Sequence, residues 1–211
     1  MRRGSHKELD ELRRAYARHG EAIRLRLDEF SKVRPEEYFY ELAYCLLTPQ
    51  SSAVNAGKAI GMLRQADLLG TGIDPVDVLF SKSHYIRFHN TKARRLIEAR
   101  SMLKEINAAI TAPRSSVELR GWLVLNVKGL GWKEASHFLR NIGHRDLAIL
   151  DRHILRNLRR HGVIHSLPTS LTPGRYLSIE KKFLRFAAAI GIAMDELDLL
   201  FWSRETGEIL K

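Results

Sequence analysis

The sequence predicts an all-α protein. Apolar residues recur at intervals of three, four and seven, short β-branched runs are nearly absent, and the interruptions carry the proline, glycine and hydroxyl or carboxylate residues that start and stop helices. From Lys7 to Lys32, Leu9, Leu12, Tyr16, Ile23, Leu27 and Phe30 form one amphipathic face, with Gly20 at a point where it can be interrupted. Pro35 opens a second helix through Phe39, Leu42, Ala43 and Leu46, which ends by Pro49 because proline lacks a donor and restricts Thr48. Gln50 therefore sits at a junction. Ser51 or Ser52 caps a third helix through Met62, and Asp74-Pro75 starts a short fourth. Asn90 or Thr91 starts a helix running through Ala93, Leu96, Ile97, Leu103, Ile106 and Ile110. Lys92, Arg94, Arg95 and Arg100 crowd its entry side, where they oppose the helix dipole; a solvated helix surface is the plain reading and an external anion the functional one. Segments 117–127, 132–142, 152–160, 173–190 and 195–202 complete the set.

At 45% hydrophobic and 28% charged, the 211 residues suffice for a core divided between one and two domains, which excludes a disordered tail or a disulfide-built miniprotein. Thirty-five Lys and Arg against twenty-four Asp and Glu give 35 − 24 = +11, which favours a polyanionic partner without choosing among DNA, RNA and acidic membrane. One cysteine, Cys45, cannot form an intrachain disulfide or hold an iron–sulfur cluster, and a reducing cytosol is expected. Apolar runs such as Ala187–Ile190 fall far short of the roughly 20 residues needed to cross a bilayer. The scattered histidines lack metal-ligand spacing, so no metal and no cofactor is expected.

Between the segments 117–127 and 132–142 lies Val127-Lys128-Gly129-Leu130-Gly131-Trp132-Lys133. Two glycines permit positive φ and close backbone approach, and the following helix start offers N–H groups to a phosphate. By itself such a turn is either a plain packing turn between helices or a grip for the DNA backbone that does not read sequence. From Val127 through Asp151, with Gly143 and Ala148-Ile149-Leu150-Asp151-Arg152-His153-Ile154, the chain resembles the helix-hairpin-helix DNA glycosylase superfamily. The blocks Lys133-Glu134-Ala135-Ser136-His137-Phe138-Leu139-Arg140-Asn141 and 201–211 look like the archaeal-type 8-oxoguanine DNA glycosylase/lyase, also found in some bacteria. Lys128 stands where many superfamily members carry a proline, and the cysteines of the iron–sulfur relatives are absent.

The resemblance implies two α-helical domains: a central barrel, 36–146, and a second domain joining residues 1–35 to 147–211, with Lys133 and Asp151 entering the cleft from opposite sides. Lys133 is the expected nucleophile at the sugar C1′, leaving an imine that acidifies the 2′ hydrogen for β-elimination. Attack needs a deprotonated amine, and Lys128, Arg140 and Arg152 are candidate cationic neighbours. Asp151 is expected to stabilise positive charge on the sugar and also reads as the N-cap of the helix 152–160.

Trp202 and Lys211, on a terminal segment folded over the pocket, are implied to recognise the flipped base, with Cys45, Phe138, His137 and Trp132 lining or supporting the cavity. Gln50 resembles the residue that fills the vacated space, and Phe88 or His89 offers a second, stacking wedge. Arg87, Lys92, Arg94 and Lys128 are expected at phosphates with Gly129 and Gly131.

The expected activity is excision of 8-oxoguanine followed by abasic-site cleavage, by a monomer acting in the cytoplasm on double-stranded DNA carrying 8-oxoguanine or abasic sites, away from membranes. An oxidised-pyrimidine glycosylase/lyase, or a non-enzymatic helix-hairpin-helix DNA-binding protein, are the alternatives.

Overall fold

A computed structural model describes residues 5–207 and 209. Eleven α-helices follow one another among the described residues: α1 (Ser5–Ser31), α2 (Tyr38–Leu47), α3 (Ala53–Gln65), α4 (Val76–Phe80), α5 (His89–Ser101), α6 (Leu103–Thr111), α7 (Ser116–Asn126), α8 (Trp132–Asn141), α9 (Arg152–Arg160), α10 (Pro173–Ile190) and α11 (Met194–Thr206). No strand occurs among them, and no helix is long and apolar enough to cross a membrane.

The chain divides into two compact units. One runs to Lys32 and resumes at Leu139, and the other is Val33–Phe138. In the first, α1 packs on α11, which also packs on α9 and α10. Its core is Leu12, Ile23 and Leu27 of α1, Ile154 and Leu158 of α9, Tyr176 and Phe183 of α10, and Leu197, Leu200 and Phe201 of α11. Each such side chain stabilises the fold by about 1.5–3 kcal/mol through burial. In the second unit α2 packs against α3 and α5, α5 against α4 and α6, and α6 against α7. Leu42, Leu46, Leu63, Leu79, Leu96, Ile106, Leu119 and Leu123 are buried there.

Local chemistry sets the helix ends. Ser52 caps α3 by accepting from Asn55 N, and Ser115 with Glu118 forms a reciprocal capping box on α7. Thr172 caps α10 ahead of Pro173. Four expectations are corrected. Gly20 does not interrupt α1, which runs unbroken for 27 residues. The first turn after Pro35 is a 3-10 turn, and the α-helix begins at Tyr38. The helix expected from Asn90 or Thr91 to Ile110 starts at His89, because Phe88 takes a left-handed N-cap conformation, and it is split at Met102 (φ −98°, ψ 13°), where α5 ends and α6 begins. The last helix starts at Met194 and reaches Thr206.

Candidate active site

In the second unit, α7 and α8 flank the glycine turn. Gly129 has φ +94°, and a Cβ there would fall 2.5 Å from Arg95 Cδ, so glycine is required both by conformation and by the arginine laid against it. Gly131 is less constrained: a Cβ would meet only the movable end of the Glu134 side chain, Oε2, at 2.9 Å. Leu130 is buried beneath the turn and Lys128 extends outward, its Nζ 3.3 Å from Glu98 Oε1. Trp132 opens α8 with the Arg120 guanidinium 4.9 Å from its ring centroid, and Arg120 donates to Ser136 Oγ.

Lys133 is the second residue of α8, its side chain 30% exposed and its Nζ 2.9 Å from Glu134 Oε1. One cation that shares an electrostatic interaction with it, Lys92, is not among the expected neighbours. Lys133 and Arg95 both act electrostatically on Lys92, whose ammonium is driven down to about 8, first by burial and then by these two charges. Arg140 instead belongs to the first unit, where its Nη1 lies 2.8 Å from Asp198 Oδ1 in a fully buried pair.

In the first unit, Asp151 caps α9: one oxygen, Oδ1, accepts from His153 N and Ile154 N at 2.8 Å each. The segment leading into it, 147–150, is buried and pinned to α10. Ala148 N donates to Glu180 Oε2 (2.8 Å), Tyr176 Oη donates to Ala148 O (2.5 Å) and Leu150 N donates to Tyr176 Oη (3.3 Å). Asp198 lies close enough to feel the Asp151 charge. Burial first, against Arg140 and with Asp151 and Asp195 adding, pushes the Asp198 carboxyl up to about 7. Trp202 is half-buried on α11, one turn before Glu205, whose carboxylate reaches Asn157 Nδ2 (3.4 Å) and His153 Nδ1 (3.6 Å) on α9. Lys211 lies outside the described residues.

Cys45 and Phe138, expected to line or support a base cavity, have 0% exposure and stand in the core of the second unit; His137 packs edge-on to Tyr44 at 5.8 Å. Gln50 is exposed at φ 56°, at the third position of a turn closed by Ser51 N donating to Thr48 O. Glycine is favoured there, and a glutamine costs about 1–2 kcal/mol of backbone strain. Phe88 (φ 60°) is 50% exposed with the Arg87 guanidinium 4.8 Å from its ring centroid. His89 differs: it packs against Phe80 and Tyr85 at 4.8 and 5.7 Å.

The expected basic helix start is corrected. Lys92 is not a phosphate-facing residue: it is 2% exposed, and its Nζ donates to Leu47 O, Pro49 O and Ser51 Oγ at 2.6, 2.7 and 3.1 Å. Arg100 donates to the carbonyls of Leu68, Gly72 and Ile73. An ammonium with three acceptors in place of water is spent on the fold. Arg87 and Arg94 remain exposed on that segment. The partners missed by sequence reasoning are Glu134, Ser51 and the Arg140–Asp198 pair. Only Glu134, adjacent to Lys133, left a signal in the chain.

Comparison with known proteins adds to this geometry. The family model described as 8-oxoguanine DNA glycosylase, Ogg-HhH, matches residues 23–192. A Fusobacterium nucleatum protein named 8-oxoguanine DNA glycosylase/AP lyase is 40% identical over 212 residues, covering 96% of this chain and 97% of its own. A Korarchaeum cryptofilum protein of the same name is 41% identical over 207 residues, covering 96% of each. The solved structure of Methanocaldococcus jannaschii 8-oxoguanine glycosylase/lyase in complex with a 15mer DNA containing 8-oxoguanine superposes with a TM-score of 0.86 at 31% identity, over 97% of this chain and 100% of that one. This chain belongs to the helix-hairpin-helix 8-oxoguanine DNA glycosylase family.

Proposed function

We propose that this protein excises 8-oxoguanine from DNA and then cleaves the strand at the abasic site, with Lys133 as nucleophile and Asp151 as the stabilising carboxylate. The observation that carries the residue assignment is the placement of a partly exposed lysine in the first turn of the helix that follows a glycine turn closed against Arg95. Near-complete coverage of relatives named glycosylase/AP lyase supports the activity.

The chemistry follows from these groups. Neutral Lys133 Nζ bonds to C1′ as the C1′–N9 bond breaks, and the base departs with that electron pair and takes up a proton. Asp151, ionised, opposes the positive charge that builds on the sugar during this step. The proton lost from Nζ passes to O4′ as the C1′–O4′ bond breaks, which opens the ring and leaves a protonated imine between Nζ and C1′. The imine acidifies C2′–H, and removal of that proton expels the 3′ phosphate, cutting the strand. Water then releases the unsaturated aldehyde and restores the amine. Glu134, at 2.9 Å, holds the ammonium form of Lys133 in place before reaction.

Gly129, Gly131 and Lys128 at the hairpin and exposed Arg87 and Arg94 serve the phosphate backbone, so affinity falls with salt as counterions are released. Gln50 and Phe88 enter the space left by the flipped nucleotide. Trp202 and Lys211 serve base recognition. One copy of the chain acting per lesion and a cytoplasmic location belong to the same proposal; sedimentation with a lesion duplex tests the first.

The decisive assay is excision on duplexes carrying 8-oxoguanine, an oxidised pyrimidine or a preformed abasic site, with borohydride trapping. Preferential release of 8-oxoguanine with a trapped adduct is expected. Preference for the pyrimidine lesion, or binding with neither excision nor adduct, overturns the proposal.

A further inference from the structure

Two exposed residues of the second unit, Gln50 and Phe88, hold left-handed backbone at φ 56° and 60° although neither is glycine. Such conformations persist only where their surroundings over-determine them. What fixes them is a shared knot. Lys92, in the first turn of α5, sends its ammonium back to the end of α2, where it takes the carbonyls of Leu47 and Pro49 and the hydroxyl of Ser51. Three hydrogens meet three oxygens, and one of those oxygens, Leu47 O, is the last carbonyl of α2. Ser51 Oγ is the crossing point, because it also accepts Arg87 N at 3.0 Å. Ser51 directly follows Gln50, and Arg87 directly precedes Phe88. Lys92 closes the other side with its own backbone N–H donating to Phe88 O at 3.0 Å, and Asn55 Nδ2 adds a tie to Tyr85 O at 3.2 Å.

We propose that Lys92 and Ser51 are positioning residues, a clasp that locks the Gln50 turn and the Phe88 turn into one rigid element for insertion into the duplex. The inference rests on the wedge reading of Gln50 and Phe88 given above. A buried ammonium is a costly way to fill space, and it is tolerated here because three oxygens take the place of its water. Burial together with the Arg95 and Lys133 charges already works against this ammonium. What lysine supplies, and methionine cannot, is three directed donors that fix the geometry of two loops relative to each other. Rigidity matters because a wedge that enters the stack without first ordering itself delivers more of its contact energy to flipping.

The test uses the full chain and Ser51→Ala, a small change at a half-buried position, beside Ser51→Thr, which keeps the hydroxyl, and Lys92→Met. Flipping is read by the fluorescence of 2-aminopurine placed beside 8-oxoguanine. Excision is read in single turnovers on the duplex. Borohydride trapping on a single-stranded abasic oligonucleotide, which needs no wedge, is the reference. Ser51→Ala is expected to reduce flipping amplitude and duplex excision about tenfold, the effect of losing two hydrogen bonds, while single-strand trapping changes far less and the melting temperature falls by only a few degrees. Ser51→Thr is expected to restore both. Lys92→Met is expected to repeat the Ser51→Ala pattern in the ratio of duplex excision to single-strand trapping. Parallel loss of flipping, excision, trapping and melting temperature in Ser51→Ala refutes a positioning role, as does unchanged flipping. Gln50→Ala and Phe88→Ala separate the two layers. If both flip normally, the wedge reading fails and takes the clasp with it; if either loses flipping while Ser51→Ala keeps it, the clasp alone fails.

Discussion

Asp151 has two roles that a pair of substitutions pulls apart. Its Oδ1 accepts two backbone N–H groups at 2.8 Å, satisfying donors at the start of α9 that otherwise have no intrahelical partner. Alanine removes the cap, and with two bonds lost at a helix start the cost lies near the upper end of the usual range, about 2 kcal/mol. For a chain of this length that lowers Tm by about 4–8 °C. Asparagine caps as well as aspartate, and loses only the attraction of a charge for the helix end, about 0.3–1 kcal/mol. Part of that loss is offset because Asp198, fully buried nearby, no longer faces a like charge. Asp151→Asn is therefore expected to melt within about 3 °C of the wild type. Its excision rate is a different matter. A carboxylate facing charge that develops only in the transition state is comparable to an oxyanion-hole donor, whose removal costs about 100- to 1000-fold. Single-turnover excision on an 8-oxoguanine duplex and thermal melts at the same pH give both numbers. If Asp151→Asn excised at the wild-type rate while Asp151→Ala melted lower, Asp151 would be a helix cap and nothing more.

Other consequences follow from the same structure. Lys133→Gln is expected to abolish the borohydride-trapped adduct while duplex binding survives; a persistent adduct would identify another amine. Gly129→Ala, with φ +94° and a Cβ 2.5 Å from Arg95 Cδ, is expected to destabilise the second unit by about 1–3 kcal/mol and to weaken binding to undamaged and damaged duplex alike, measured by melting and by titration. Deleting Lys211 is expected to impair 8-oxoguanine excision more than cleavage of a preformed abasic site, and equal losses would remove it from base recognition. His161 is stacked between Phe186 and Phe201, neither ring nitrogen has a hydrogen-bond partner among the described residues, and burial holds its pKa below the ordinary 6.5. The unfolded chain then binds this proton more readily, so the contribution is whole above 6.5 and is lost as pH falls through the lowered folded value. Asp198 has the opposite sign: raised from 3.8 to about 7, its contribution is whole below 3.8 and is lost as pH rises through about 7. His161→Phe is expected to raise stability by about 1 kcal/mol, the cost of unpaired buried polar atoms, and to flatten the acid limb of a stability–pH curve below pH 6.5. An unchanged acid limb would place the proton uptake elsewhere.

Much of the fold was legible because it is set by neighbours in the chain. The helices 152–160 and 173–190 fall where periodicity and Asp151 or Pro173 put them, since a cap and an apolar stripe act within four residues. The need for glycine at position 129 also showed in the short motif, although the arginine that enforces it did not. The break at Met102 left no mark, because no proline or glycine stands there.

Lys92 shows where local reasoning stops. In the run Lys92, Arg94, Arg95 the charges read alike, yet Lys92 is 2% exposed and Arg94 faces solvent. The difference is made by the carbonyls of Leu47 and Pro49, more than forty residues earlier, brought within reach only by packing α2 on α5. Arg140 likewise finds Asp198 across 58 residues, whereas the burial of Phe138 agrees with the apolar face of its own helix. The amino-acid order by itself placed most of the helical segments, pointed to the family they build, and named the amine and carboxylate to suspect. Tertiary structure decided which charges are buried and what they hold, because the cost of removing a charge from water is met by partners that only the folded chain brings near.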